Sequence, residues 1–97
     1  MSEVWETCRA VVQDKTGLHA RPAVKLTKLA KRFAARVEVR QEGSEAWINA
    51  KSPSSVMRLK APYLAVLEIR AAGDDARAAA EALRDLVNRD FNDVAAE

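Results

Sequence analysis

The sequence predicts an α+β fold, a two-layer open-faced sandwich with an antiparallel sheet covered on one face by helices. Three observations carry this. Four segments alternate apolar with polar residues, so each offers one face to a core and one to water. Three other segments carry apolar residues at helical spacing or a helix-start signature. The two kinds interleave as β-α-β-β-α-β-α, without repeat, linker or low-complexity stretch, in 97 residues. That length is one small domain, 1–97, with its core expected over about 7–87.

Each element has its own reason. In Thr7 to Val12, Cys8, Ala10 and Val12 share one side, which makes a half-buried first strand. Asp14-Lys15-Thr16-Gly17 is a turn. The first helix follows, with Ala23, Leu26, Thr27, Ala30 and Phe33 on one stripe. Pro22 fits only in a first helical turn, because further in it would remove a hydrogen bond and clash. The helix therefore starts close to His19 or Ala20. Val37 and Val39 mark a second strand, Gln41 to Ser44 a hairpin turn, and Ala46, Ile48 and Ala50 a third strand. Ser52 is the expected N-cap of a short helix with Pro53 at its first position. Ala65, Leu67, Ile69 and Ala71 alternate as a fourth strand. Gly73-Asp74-Asp75 opens the last helix, its acidic residues set at the positive end. Ala76, Ala79, Leu83 and Leu86 form that helix's buried stripe. The tail from Asn88 is expected to fray unless Phe91 tucks back.

Composition excludes several classes. The 16 basic and 14 acidic residues leave a formal charge of +2, too little for a polyanion binder, so no nucleic-acid partner is expected. Cys8 is the single cysteine, which leaves no internal disulfide and no Cys/His set for a metal. No cofactor motif is present. No apolar run approaches the roughly 20 residues that span a bilayer, so no membrane insertion is expected. The acidic Met-Ser-Glu-Val-Trp-Glu lacks the basic and apolar regions of an export signal, which predicts a cytoplasmic location. A monomer is expected.

The only histidine, His19, falls at the start of the first helix. A helix start leaves amide donors without internal partners and carries about half a positive charge. That is a ready anion site, and its charge biases an adjacent imidazole toward the neutral, nucleophilic form. Arg21 adds a planar cation suited to phosphate oxygens. Gly17 lets the chain turn and expose the ring. Together these suit phosphoryl transfer through His19. A histidine at a helix start also serves as an exposed capping residue, and the residues alone name no substrate.

Gly17-Leu18-His19-Ala20-Arg21-Pro22-Ala23 resembles the active-site signature of the HPr family, the histidine phosphocarriers of the phosphoenolpyruvate-dependent phosphotransferase system. Asn49-Ala50-Lys51-Ser52, followed by Val56-Met57 and Leu59, resembles the family's second motif. Ala71-Ala72-Gly73-Asp74-Asp75 resembles the turn into its last helix. The resemblance runs from about Thr7 to Val87. It implies a four-stranded antiparallel sheet covered by three helices. It also implies that His19 takes a phosphoryl group on Nδ1 from phosphorylated Enzyme I and passes it to an EIIA-type acceptor, with Arg21 stabilising the phosphate. Ser52 matches the serine that an HPr kinase/phosphorylase modifies. Lys60 and Leu64 stand where the family carries glycines, so the loop Leu59–Leu64 is expected to take another path. The length of Gly43 to Ala50 and the Asn88–Phe91 segment are closer to the nitrogen-related branch, NPr, than to the sugar branch. The two branches stay open here.

Lys28 and Lys31, with Lys25 and Arg32, form either a solvated helix face or a basic rim that steers acidic partners. Val24 and Met57 are read as a small apolar docking patch. Trp47 is expected on the outer side of its strand, as an interaction residue or a cap over the hairpin. Two other functions compete with the carrier. One is a regulatory module that changes partners when His19 or Ser52 is phosphorylated. The other is a ligand-sensing domain with no covalent step.

Overall fold

Alternation along the strands decides which residues can meet the helices, and the fold follows from it. The computed structural model describes residues 4–92. Its elements are β1 (Glu6–Val11), α1 (Ala20–Ala30), β2 (Arg36–Gln41), β3 (Ile48–Asn49), α2 (Pro53–Arg58), β4 (Val66–Ala72) and α3 (Ala76–Asn88). The strands form one antiparallel sheet in the order β1-β4-β2-β3. The last strand thus enters between the first and second, and the predicted architecture is the observed one.

The inward residues of the sheet are Ala10, Val37, Val39, Leu67, Ile69 and Ala71, all buried. They meet Ala23, Leu26 and Ala30 of α1, Val56 of α2, and Ala79, Ala80, Leu83, Leu86 and Val87 of α3 in one core. Helix α3 lies against β1 and β4, and α1 packs on both α2 and α3. Alanine is frequent on the helix stripes, which lets helices and sheet approach closely.

Four local readings change. The third strand is only two residues long, as suits the sheet's edge, where a short strand offers little unpaired backbone. Helix α1 ends at Ala30, capped by Lys31, so Phe33 packs on the core from the following turn. At the start of α3 the Asp75 side chain is engaged outside that helix. Asp75 is its N-cap residue but makes no side-chain cap bond. Its carboxylate accepts from the amides of Ala34 and Ala35 at 2.9 and 2.8 Å, tying the start of α3 to the turn before β2. These amide bonds, Ala34's foremost, hold the Asp75 carboxyl below its ordinary value.

The fourth change is the loop Leu59–Leu64. Lys60 and Leu64 adopt φ of +48° and +70°, the left-handed dihedrals a glycine would supply. Each costs roughly 1–2 kcal/mol. Neighbouring bonds hold them there: the Lys60 amide donates to the Met57 carbonyl, and the Leu64 amide to the Val12 carbonyl. Of the two expectations for the tail, docking holds as far as residue 92. Phe91 is buried, and the Asn88 side chain accepts from the Val11 amide.

Candidate functional site

The site is built where three chain segments meet. Gly17 has φ +80°, and a Cβ on it would lie 2.6 Å from the Ala61 carbonyl oxygen. The Leu18 amide donates to that same oxygen at 2.8 Å, and the Leu18 side chain is buried. The turn before α1 is thereby fastened to the α2–β4 loop. Its next residue, His19, is left at the surface.

His19 is the N-cap of α1, as the position of Pro22 predicts. Its backbone is extended and its carbonyl accepts from the Ala23 amide, the first bond of the helix. The ring does not cap its own helix. Instead Nε2 lies 3.2 Å from Asp14 Oδ2, with 45% of the His19 side chain exposed. The other Asp14 oxygen, Oδ1, accepts from the Thr16 amide and hydroxyl at 2.8 and 2.6 Å. These Thr16 bonds, the hydroxyl's foremost and with His19 adding to them, hold the Asp14 carboxyl below its ordinary value. It is an anion at neutral pH.

The amides of Ala20 and Arg21 precede the first intrahelical donor and bond no other described residue. No acidic residue sits in the first turn to compete for them. The exposed Arg21 side chain has no bond among the described residues either. His19 and Arg21 line a cleft of about 330 Å³ with Asp14, Pro22, Lys25 and the turn Asp90–Asn92. Lys25 Nζ donates to the Phe91 carbonyl at 2.9 Å, so the end of the described chain forms one wall. Asp90 and Phe91 both have φ +58°, which bends that wall toward α1. The arrangement has free capacity for an anion: an unbonded guanidinium, two open amides and the positive helix end.

On the other side of His19, Met57 lines a second cleft with Thr16, Leu18, Lys60, Ala61 and Pro62. Val24 and Met57 are exposed apolar residues, as are Tyr63 and Leu64. Lys28 and Lys31 are exposed along α1, nine and twelve residues beyond His19. At about 1.5 Å per residue that places them roughly 13–18 Å along the helix axis. Ser52 caps α2, its Oγ accepting from the Ser55 amide at 3.4 Å and lying 3.3 Å from Ser54 Oγ. Among the described residues no group of three or more His, Cys, Asp or Glu could hold a metal ion. No helix there is long and apolar enough to cross a membrane.

Sequence reasoning identified His19 and Arg21 but took Asp14 as a turn residue only. The Asp-Lys-Thr-Gly spacing carries a signal for an Asx turn, which pins one carboxylate oxygen. It does not say that the second oxygen meets a ring five residues on. Lys25, read from sequence as part of a basic rim or a solvated face, instead bonds the Phe91 carbonyl, and the Asp90–Asn92 wall was missed because nothing in its local sequence marks it.

Comparison with known proteins agrees with this geometry. Residues 7–89 match the family model described as the PTS HPr component phosphorylation site. A phosphocarrier protein HPr of Xylella fastidiosa is 36% identical over 83 residues, covering 86% of this chain and 91% of that one. One from Neisseria meningitidis is 38% identical over 80 residues, covering 82% and 88%. The crystal structure of an HPr from Thermoanaerobacter tengcongensis aligns with a TM-score of 0.81 at 32% identity, covering 92% of this chain and 98% of that one. The HPr structure from Bacillus anthracis aligns at 0.78 and 34%, covering 87% and 98%. A half-exposed histidine at the N-cap of α1, on this sheet order and with these relatives, identifies the chain as a member of the HPr phosphocarrier family.

Proposed function

We propose that His19 accepts a phosphoryl group from a phosphorylated Enzyme I-type donor and passes it to an EIIA-type acceptor. The observation that supports this best is the coincidence at one helix start of an exposed imidazole, an unbonded guanidinium and two open amides. The Nδ1 lone pair attacks phosphorus. The donor's bond to phosphorus breaks, its electron pair leaving with the donor. Arg21 and the helix-end amides hold the equatorial oxygens as charge spreads over them. Onward transfer reverses these roles. The protein acts as a covalent relay rather than as an enzyme on a small molecule. The apolar residues Val24 and Met57 beside His19 suit partner docking, with Lys28 and Lys31 steering acidic partners from farther along α1.

Ser52 is the regulatory residue of this reading. A phosphate on an N-cap serine adds about −1.5 to −2 charge on the partner-binding surface, where it repels an acidic partner. An HPr kinase/phosphorylase is its partner, and the protein works as a cytoplasmic monomer.

The test is intact mass after incubation with phosphoenolpyruvate, magnesium and Enzyme I. An acid-labile gain of one phosphate is expected, absent in His19→Ala. No gain with either the sugar-type or the nitrogen-type Enzyme I would refute the relay.

A further inference from the structure

The ring of His19 can act at Nδ1 only if its proton sits on Nε2, and nothing in the helix itself enforces that. The ring makes no cap bond to α1, so the helix amides do not choose the tautomer. The neighbour that can is Asp14. Its Oδ2 is 3.2 Å from Nε2, while Oδ1 is held by both Thr16 donors and its carbonyl takes the Gly17 amide. The carboxylate is therefore fixed at Oδ1 by its own turn, with the other oxygen left to face the ring. A carboxylate is an acceptor only. A bare Nε2 beside it would set two lone pairs against each other, and an Nε2–H donates to it.

We propose that Asp14 is a positioning residue: it keeps the proton of His19 on Nε2 and the lone pair on Nδ1. The inference rests on the carrier reading above and deepens it. When Nδ1 bonds phosphorus, the ring gains a positive charge while its Nε2–H stays in place. The Asp14 carboxylate stands beside that charge. When the phosphoryl group moves on, the Nδ1–P bond breaks with its electron pair returning to Nδ1, and the ring leaves neutral with Nε2 still protonated. No proton has to move in either direction. The carboxylate thus serves acceptance and donation alike.

Two readouts test this on the full chain. Long-range proton–nitrogen NMR of the labelled ring, at alkaline pH where the imidazole is neutral, reads the tautomer without any partner. Wild type is expected to show a protonated Nε2 and a bare Nδ1, and Asp14→Ala to move toward the Nδ1–H form. The second readout is the initial rate of phosphorylation by Enzyme I. Asp14→Ala is expected to lower turnover about tenfold with the apparent KM unchanged, the size of one lost charge-assisted hydrogen bond. Asp14→Asn keeps the turn but not the acceptor that faces the ring. Its single oxygen stays with the Thr16 donors, so an amide NH2 faces the ring; the Nδ1–H form is expected as in Asp14→Ala, with the rate lowered likewise and the fold kept, which separates loss of the acceptor from loss of fold. An unmoved tautomer in Asp14→Ala overturns the proposal, as does a loss carried by KM alone. A wild-type protein that takes no phosphate refutes the carrier reading instead, and the tautomer measurement then decides the role of Asp14 by itself.

Discussion

The solvent face of the sheet and the start of α1 both carry arginine, and they use it in opposite ways. On the sheet, Arg70 lies over the rings of Trp5 and Trp47 at 4.0 and 4.2 Å and donates twice to Glu38 across the β2–β4 ladder. Arg40 lies 4.4 Å over Trp47 and donates to Glu68, its register partner on β4. Arg9 pairs with Glu42. Trp47, a candidate interaction residue by sequence, thus has two guanidinium groups against its ring. At the start of α1, Arg21 has no such bond among the described residues, and the amides beside it are open. The lesson is that a cluster of cations does not mark a site. Bonding capacity left over after folding does.

The largest way to break this contrast lies under the site, in its backbone. Gly17→Ala puts a Cβ at 2.6 Å from the Ala61 carbonyl and forces a side chain into φ +80°. A loss of roughly 2–3 kcal/mol is expected, read as a lower urea midpoint with an unchanged slope. The site's side chains are open, yet their scaffold tolerates nothing larger than hydrogen. A midpoint equal to wild type would mean that the Leu18–Ala61 junction does not fix the loop.

Arg21→Lys should do the reverse, changing chemistry but not stability. It keeps a charge and loses the planar fork, so the phosphorylation rate is expected to drop about tenfold with no change in the urea midpoint. Arg70→Met sharpens the comparison from the other face. The Arg70 side chain is 26% exposed and sits between two aromatic faces and a carboxylate, so about 1 kcal/mol of stability is expected to go. Phosphorylation should stay at the wild-type rate. A drop in that rate would show that the sheet face takes part in partner recognition.

The smallest effect is a matter of pH. Asp75, like the sheet face, has its charge satisfied inside the fold, by the Ala34 and Ala35 amides. Its folded value is depressed, so the stability it contributes is present above the unfolded carboxyl value of about 3.9. That stability is lost as pH falls through the lower folded value. Asp75→Asn should therefore lower the urea midpoint at pH 7 and match wild type more closely near pH 2. A gap that stays constant with pH would assign the effect to shape rather than charge.

Much of this was legible beforehand because it depends on local chemistry. Pro22 can occupy only a first turn, so it dates the start of α1 and puts His19 at the N-cap. Ser52-Pro53 does the same for α2. Strand alternation gave the inward faces of β1, β2 and β4. The place of Asp75 at the start of α3 was legible too, but not its bonds to two amides of a distant turn.

The sequence by itself determined the element order, the helix starts and the placement of His19 and Arg21 at one helix start, since each follows from residues a few positions apart. Tertiary structure alone decided that Lys60 and Leu64 accept left-handed dihedrals, and that Arg70 is consumed between Trp5 and Trp47. It also decided that Asp90–Asn92 walls the cleft, and that the second oxygen of Asp14 faces the ring. These depend on where separate segments come to rest against one core. Periodicity and capping act over one or two turns of chain, whereas the direction of a spare lone pair or an unfilled guanidinium is set only once every neighbour is in place.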